Sequence, residues 1–255
     1  MSDAEQKFVY ITGCDTGFGR IAVDLFDKLS AWASLVDRWK TCWLTGRKCA
    51  DYGVFAGVFL EQTMTDLPKQ CPSGNVVPVR LDVTSESSVE LAAAFIVDHL
   101  ASIPGAQLVA LCNNAYVPTR PRARAKRADR PRCQNQSGIL VQPCPAEWQS
   151  AKDFKDMFNV NVLGAVLVTN SVLPLIRKSM GRIVVTASIA GRIGIATQAA
   201  YCASKFAVEA WADVLRKDMY PFGVTVHIVE PGVFPNTGLY ARFQTGECRP
   251  RHRGR

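Results

Sequence analysis

The chain has 255 residues, of which 48% are hydrophobic and 20% charged, which excludes a chain disordered throughout and suits one α/β domain with a substantial core. Its net charge of +8 is local. Arg120, Arg122, Arg124, Lys126, Arg127, Arg130 and Arg132 share one segment, Arg249, Arg251, Arg253 and Arg255 share the tail, and outside both segments 19 basic residues face 21 acidic ones.

Phe8–Ile11 is a short apolar run that predicts a first strand. It enters the glycine-rich turn Thr12-Gly13-Cys14-Asp15-Thr16-Gly17-Phe18-Gly19, and Ile21–Leu29 follows with helical periodicity. Strand, glycine turn and helix in that order form the context a phosphate-binding turn requires. Val54–Val58 and Val76–Leu81 read as further strands, the second leading to Asp82. Leu91–Leu100 reads as a helix. Leu108–Cys112 reads as a strand ending at Asn113-Asn114-Ala115. Phe154–Ile176 predicts one long helix or a helix with a bend. Arg182–Thr186 predicts a strand with Ser188 just beyond it. Tyr201–Met219 predicts a helix and Val224–Val229 a last strand. Alternating strands and helices imply a Rossmann-type, doubly wound parallel sheet in a single domain over 1–255. Function then belongs at the carboxyl ends of the strands.

Two stretches break this rhythm and read as irregular insertions. Residues 31–52 carry Trp32, Trp39 and Trp43, and residues 116–137 are rich in proline and arginine. The second is expected to be disordered. Its basic run has no aromatic interleaving beyond Tyr116 and belongs to no nucleic-acid-binding module, so a solvated loop is expected rather than specific nucleic-acid binding. No apolar run of about eighteen residues occurs, which predicts no transmembrane segment. Met1–Lys7 is polar, which predicts no signal peptide. The nine cysteines are scattered without a Cys-x-x-Cys pair, which predicts reduced thiols and no metal site.

The chemistry centres on Tyr201 and Lys205, four residues apart and so on one face of a helix. Ser188 lies thirteen residues upstream of the tyrosine. Oxidising a secondary alcohol removes a proton from oxygen and a hydride from carbon. A phenol is a poor base near neutrality, with an ordinary pKa of about 10. A nearby ammonium favours the phenolate. A serine hydroxyl can hold the substrate oxygen beside the phenol. No side chain accepts a hydride, so a nicotinamide cofactor must. The pattern therefore predicts hydride transfer to or from an alcohol or ketone.

These residues resemble the classical short-chain dehydrogenase/reductases, in the branch of retinol, hydroxysteroid and 3-hydroxybutyrate dehydrogenases. The runs that carry the likeness are Ile11–Gly19, Leu81-Asp82-Val83-Thr84, Asn113-Asn114-Ala115, Asn159–Gly164 and Glu230–Phe234. The resemblance implies that Tyr201 is the acid/base and that Lys205 lowers its pKa and binds the nicotinamide ribose. It implies that Ser188 orients the substrate oxygen and that Asn161 supports a proton-relaying water. Gly13, Asp15, Thr16, Gly17, Phe18 and Gly19 would form the pyrophosphate turn. Asp82 and Val83 would contact the adenine, and Asn114 and Ala115 would lie along the cofactor. Pro231, Gly232, Val233 and Thr237 would close over the nicotinamide end. Asp15 and Glu61 offer no cation for a 2′-phosphate, which favours NAD over NADP.

The substrate class implied is a hydrophobic secondary or allylic alcohol or ketone of steroid or retinoid type. A homo-oligomer formed through the two long helices is expected, in the cytoplasm or peripheral on an intracellular membrane. The chain also departs from the family. Tyr116 follows Ala115 where a glycine is usual, and Gly138-Ile139-Leu140 reads as the natural continuation. Pro235-Asn236-Thr237-Gly238 is irregular, and a substrate-binding segment is missing before the basic tail 244–255. These departures motivate an alternative, a catalytically impaired paralogue that folds and pairs with relatives.

Overall fold

The computed structural model describes residues 6–35, 52–71, 73–115 and 146–232. Six strands, β1 (Lys7–Thr12), β2 (Tyr52–Val58), β3 (Val76–Arg80), β4 (Gln107–Asn113), β5 (Arg182–Thr186) and β6 (Thr225–Val229), form one sheet. Their order is β3-β2-β1-β4-β5-β6, and every neighbouring pair is parallel. The strand order reverses between β1 and β4. A crevice opens at such a switch point, outside the carboxyl ends of the strands.

The strands are apolar because the sheet is covered on both faces. Along β1, Phe8 and Tyr10 belong to one buried cluster and Val9 and Ile11 to the other. The first cluster receives Val89, Ala92 and Ile96 of α3 (Glu86–Ala101). It also receives Val168 and Val172 of α5 (Ala165–Lys178) and Val208 and Ala212 of α6 (Ala199–Met219). The second cluster receives Val23 of α1 (Gly17–Leu35) and Leu67 of α2 (Glu61–Gln70).

The expected elements form with ends moved by a few residues, and one more helix forms. Helix α2 was not expected. Its sequence is polar, contains Pro68, and buries only Leu67, so no apolar stripe announces it. Of the insertion read over 31–52, the described ends are regular: α1 continues to Leu35 and β2 starts at Tyr52. The helix expected over Phe154–Ile176 takes the bent form: α4 (Ala151–Phe158) passes through a wide π turn, Asn159–Gly164, before α5. A capping box between Ser150 and Asp153 starts α4.

By length and composition Ala151–Lys178 could cross a membrane, although no apolar run in the sequence suggested one. Its Val160, Val168, Val172 and Ile176 are buried in the domain core, as in a core helix of a folded domain. The expectations for 36–51, 116–137, Gly138, 235–238 and 244–255 lie outside the described residues.

Candidate active site

The glycine turn joins β1 to α1 at the switch point. Gly13 and Gly17 have φ of 70° and 64°, a region that favours glycine. Gly19 is constrained differently. A Cβ there would collide with the Gly13 carbonyl and lie 2.6 Å from Asn114 Nδ2. The turn therefore packs directly on the end of β4. Thr12 completes that junction, although only its neighbours were singled out in the sequence. Its buried Oγ1 accepts hydrogen bonds from the backbone N–H of Asn114 (3.0 Å) and Ala115 (2.8 Å). Asn114 Nδ2 donates back to the Thr12 carbonyl at 3.2 Å. These contacts hold the ends of β1 and β4 in register and leave the amino terminus of α1 facing the crevice. Such a terminus attracts anions.

Two predicted contact residues have structural partners already. The Asp15 carboxylate accepts from the backbone N–H of Phe59 (2.8 Å) and Leu60 (2.9 Å), which ties the glycine turn to the end of β2. Asp82 Oδ1 accepts from the Thr84 N–H and hydroxyl at 2.9 and 2.6 Å. The Asp82 N–H donates to Ser88 Oγ at 2.9 Å, so the turn before α3 is fixed. Val83 is buried and packs against Gly164, where a Cβ would come within 2.8 Å of Val83 Cγ2. Thr16 and Phe18 lie exposed at the turn.

Two cations lie near the glycine turn and the end of β2, although the sequence predicted none there. Arg80 ends β3 opposite Val58, with its guanidinium 5.2 Å from the Phe59 ring centroid and 3.8 Å from the Glu61 carboxylate. Arg20, in the first turn of α1, pairs with Asp24 at 3.0 Å and donates to Gln70 at 2.6 Å. Each therefore faces an acid.

Ser188 lies at the end of β5, where its Oγ accepts from the Ala190 N–H at 3.2 Å. Its hydroxyl also opposes the upward push of burial on the Tyr201 phenol. Lys205 follows Tyr201 by one turn of α6, and its Nζ donates to the Thr186 carbonyl at 2.8 Å. The same Nζ stands 5.8 Å from the Tyr201 ring centroid. Asn161 sits in the π turn. Its Nδ2 donates to Ser204 Oγ at 3.0 Å and touches Met157 Sδ at 3.1 Å. The π turn thus delivers a buried amide to α6 between Tyr201 and Lys205. Such turns recur at functional sites. One pocket is lined by Thr12, Asn113, Asn161, Thr186 and Lys205, beside Val83 and Ala115. Predicted relay, cofactor-wall and lysine residues therefore meet in one crevice.

The electrostatics differ from expectation at one point. Burial pushes the Tyr201 hydroxyl above its usual range, and the Ser188 hydrogen bond offsets this only in part. The Lys205 ammonium donates to the Thr186 carbonyl rather than to the phenol. Lys205 itself is pushed down to about 8 by burial, with Glu209 opposing.

Pro231 lies just beyond β6, and its carbonyl accepts from the Ile189 N–H at 3.3 Å. Gly232 follows and is exposed. Val233, Thr237 and Tyr116 lie outside the described residues. Ser204 and Asn113 were not singled out. Ser204 was visible inside the Tyr201–Lys205 run. Asn113 donates to Thr169 Oγ1 at 2.8 Å, and its buried Oδ1 has no partner among the described residues and borders the pocket.

The short chain dehydrogenase family model matches residues 57–247. The chain belongs to that family, a family of oxidoreductases. It is 37% identical over 238 residues to the 3beta-hydroxysteroid dehydrogenase dhs-16 of Caenorhabditis elegans, covering 91% of this chain and 50% of that protein. It is 32% identical to human 17-beta-hydroxysteroid dehydrogenase type 6, covering 97% of this chain and 62% of that one. It is also 32% identical to mouse retinol dehydrogenase 16, covering 92% and 59%. The chain thus spans between half and two thirds of these relatives' length. Among solved structures, a short-chain dehydrogenase/reductase of Saccharomyces cerevisiae superposes with a TM-score of 0.69 at 19% identity, covering 94% of this chain and 75% of that one. The serine dehydrogenase of Escherichia coli does so at 0.63 and 24%, covering 89% and 82%. These likenesses support the fold.

Proposed function

We propose that this protein transfers a hydride between NAD(H) and a hydrophobic secondary or allylic alcohol or ketone of steroid or retinoid type. The observation that carries the reading is Lys205, one turn beyond Tyr201 on α6, lining one crevice with Thr12 of the glycine turn and Asn161, with Ser188 just beyond the neighbouring end of β5. The steroid and retinoid preference rests on the relatives' names and on the branch the motifs resemble.

The residues present fit a nicotinamide dinucleotide. The buried Asn113 Oδ1 is left without a partner among the described residues beside the crevice, and the amino terminus of α1 presents backbone N–H groups suited to a pyrophosphate. Gly13, Asp15, Thr16, Gly17, Phe18 and Gly19 would hold the pyrophosphate end. Asp82 and Val83 would hold the adenine, and Asn114, Ala115, Pro231, Gly232, Val233 and Thr237 the remainder. When bound, the nicotinamide supplies the hydride acceptor or donor. NAD is preferred over NADP, since Arg80 faces Glu61 and Asp15 is committed to the β2 end.

Ser188 holds the substrate oxygen by hydrogen bonding. Tyr201 Oη takes the alcohol proton during oxidation and returns it during reduction. Burial disfavours the tyrosinate, so the Ser188 bond and the lysine charge must stabilise it as the proton moves. Lys205 also contacts the nicotinamide ribose, and Asn161 holds a water that carries the proton onward. The impaired-paralogue alternative gains no support from the described residues, among which Asn161 and Lys205 line one crevice and Tyr201 stands one turn of α6 from Lys205.

A homo-oligomer would form through the two long helices, whose Leu163, Phe206 and Val214 expose apolar surface. A cytoplasmic or peripheral membrane placement goes with this reading. The test is titration with NADH followed by turnover of steroid and retinoid alcohols. NADH binding with turnover of either class supports the proposal. Cofactor binding with turnover of neither class removes the substrate assignment, and absence of cofactor binding removes the dehydrogenase reading.

A further inference from the structure

Three segments carry the proposed chemistry. Ser188 lies at the end of β5, Tyr201 and Lys205 lie on α6, and Pro231–Gly232 follow β6. Arg192 touches all three. It sits in the turn after Ser188, one residue beyond Gly191. Its Nε lies 2.8 Å from Glu209 Oε2, and Glu209 follows Lys205 by one turn of α6. Its other contacts go to Glu230 Oε1, from Nε at 2.9 Å and from Nη2 at 2.8 Å. Glu230 is the residue before Pro231.

The environment of Glu209 makes this more than a surface pair. Glu209 is only 4% exposed, and neither of its carboxylate oxygens accepts a hydrogen bond from a described residue. Its carboxylate fills the space that a Cβ at Gly191 would need, so the turn after Ser188 rests directly on it. The charged groups that influence it are Arg192 from that turn, Glu230 from β6, and Asp213 and Lys205 from α6. Arg192 is the cation nearest at hand. A buried carboxylate left without its cation is costly, so the turn is held down by electrostatic need as well as by packing. The link to β6 is reinforced by the backbone, through Ala187 N–H to Val229 O (2.8 Å) and Ile189 N–H to Pro231 O (3.3 Å).

We infer that Arg192 is a positioning residue, a clamp that sets Ser188 against Tyr201 and Lys205 by bridging Glu209 on α6 to Glu230 at the end of β6. The inference rests on the dehydrogenase reading for its catalytic consequence, but the clamp itself is a property of the fold. Arg192 touches no substrate. It acts through the turn that carries Ser188.

The experiment compares the wild type with Arg192→Gln, Arg192→Lys and Glu230→Gln in the full chain. Hydrogen exchange of peptides spanning 187–195 and 226–232 reads the clamp directly. Exchange there should rise in Arg192→Gln while β1 and β4 stay protected, and Arg192→Lys should recover part of the protection. NADH titration counts folded sites. Per titrated site, kcat in Arg192→Gln should fall about tenfold while NADH affinity changes less than about twofold, as expected of misplaced but intact groups. Glu230→Gln, which spares the buried pair, should fold and show a smaller effect in the same direction. Unchanged exchange in those peptides would overturn the clamp. A loss of kcat that merely tracks the number of titrated sites would overturn the positioning role. Were the wild type to bind no NADH, the dehydrogenase reading would fall, and hydrogen exchange alone would still decide the clamp.

Discussion

Lys205 Nζ and the Tyr201 ring centroid stand 5.8 Å apart on adjacent turns of α6, yet burial drives their titrations in opposite directions. The lysine falls from its ordinary 10.5 to about 8, and the tyrosine rises above 10. Between about 8 and 10.5 the unfolded chain keeps a proton on Lys205 that the folded chain has released. This site therefore adds stability as pH rises through that window. Tyr201, Cys14 and Cys112 work the other way at alkaline pH, since each is raised in the folded state. Comparison with Lys205→Met isolates the lysine. From pH 8 toward 10.5 the wild type should gain on the order of 1–2 kcal/mol over the variant in urea unfolding. A gap that stays constant with pH would show that Lys205 titrates normally.

Gly17 and Gly19 should respond differently to the same change. Gly17→Ala has open space and pays for a left-handed backbone, about 1–2 kcal/mol. Its cost should appear mainly in thermal unfolding. Gly19→Ala drives a methyl into the Gly13 carbonyl and Asn114. It should weaken NADH binding by roughly tenfold or more, because the turn must leave the end of β4. Equal effects of the two variants on NADH affinity would contradict this.

Asn161 and Ser204 form a buried pair across the π turn and α6. Asn161→Ala should destabilise the fold by about 1–3 kcal/mol. Ser204→Ala added to it should cost less than it does alone, since its partner has already gone. Thermal or denaturant unfolding of the four proteins in the cycle measures the coupling. Strict additivity would show that the bond contributes nothing.

Asp15 is predicted to act on the cofactor site through backbone. Asp15→Ala leaves the N–H groups of Phe59 and Leu60 without acceptors. It should lower stability by about 1–3 kcal/mol and also weaken NADH. Asp15→Asn keeps one acceptor and should fall between. Weakened NADH binding without any loss of stability would instead assign Asp15 to direct ligand contact.

Much of this architecture was legible because the signals were periodic or chemically unusual. Phe8–Ile11 alternates between two buried faces, and β5 runs over Arg182–Thr186 as read. Tyr201, Lys205 and Ser188 are ordinary residues whose spacing is not. Helix α2 escaped because Pro68 and a single buried leucine hide its period. The π turn could be read only as a bend, since one extra residue in a turn leaves no mark in composition. Arg192, Glu209 and Glu230 are separated in sequence and meet only through the packing of α6 against β6 and the turn after β5. The direction of the Tyr201 shift was missed for a related reason. Spacing places Lys205 near the phenol, but only the structure shows its ammonium bound to Thr186.

The most direct test of the hydride-transfer reading is formation of NADH from NAD with a steroid or retinoid alcohol, comparing the wild type with Tyr201→Phe. Both proteins should bind NADH with similar affinity, and only the wild type should turn over. Equal turnover by the two would remove Tyr201 from the chemistry and contradict the account.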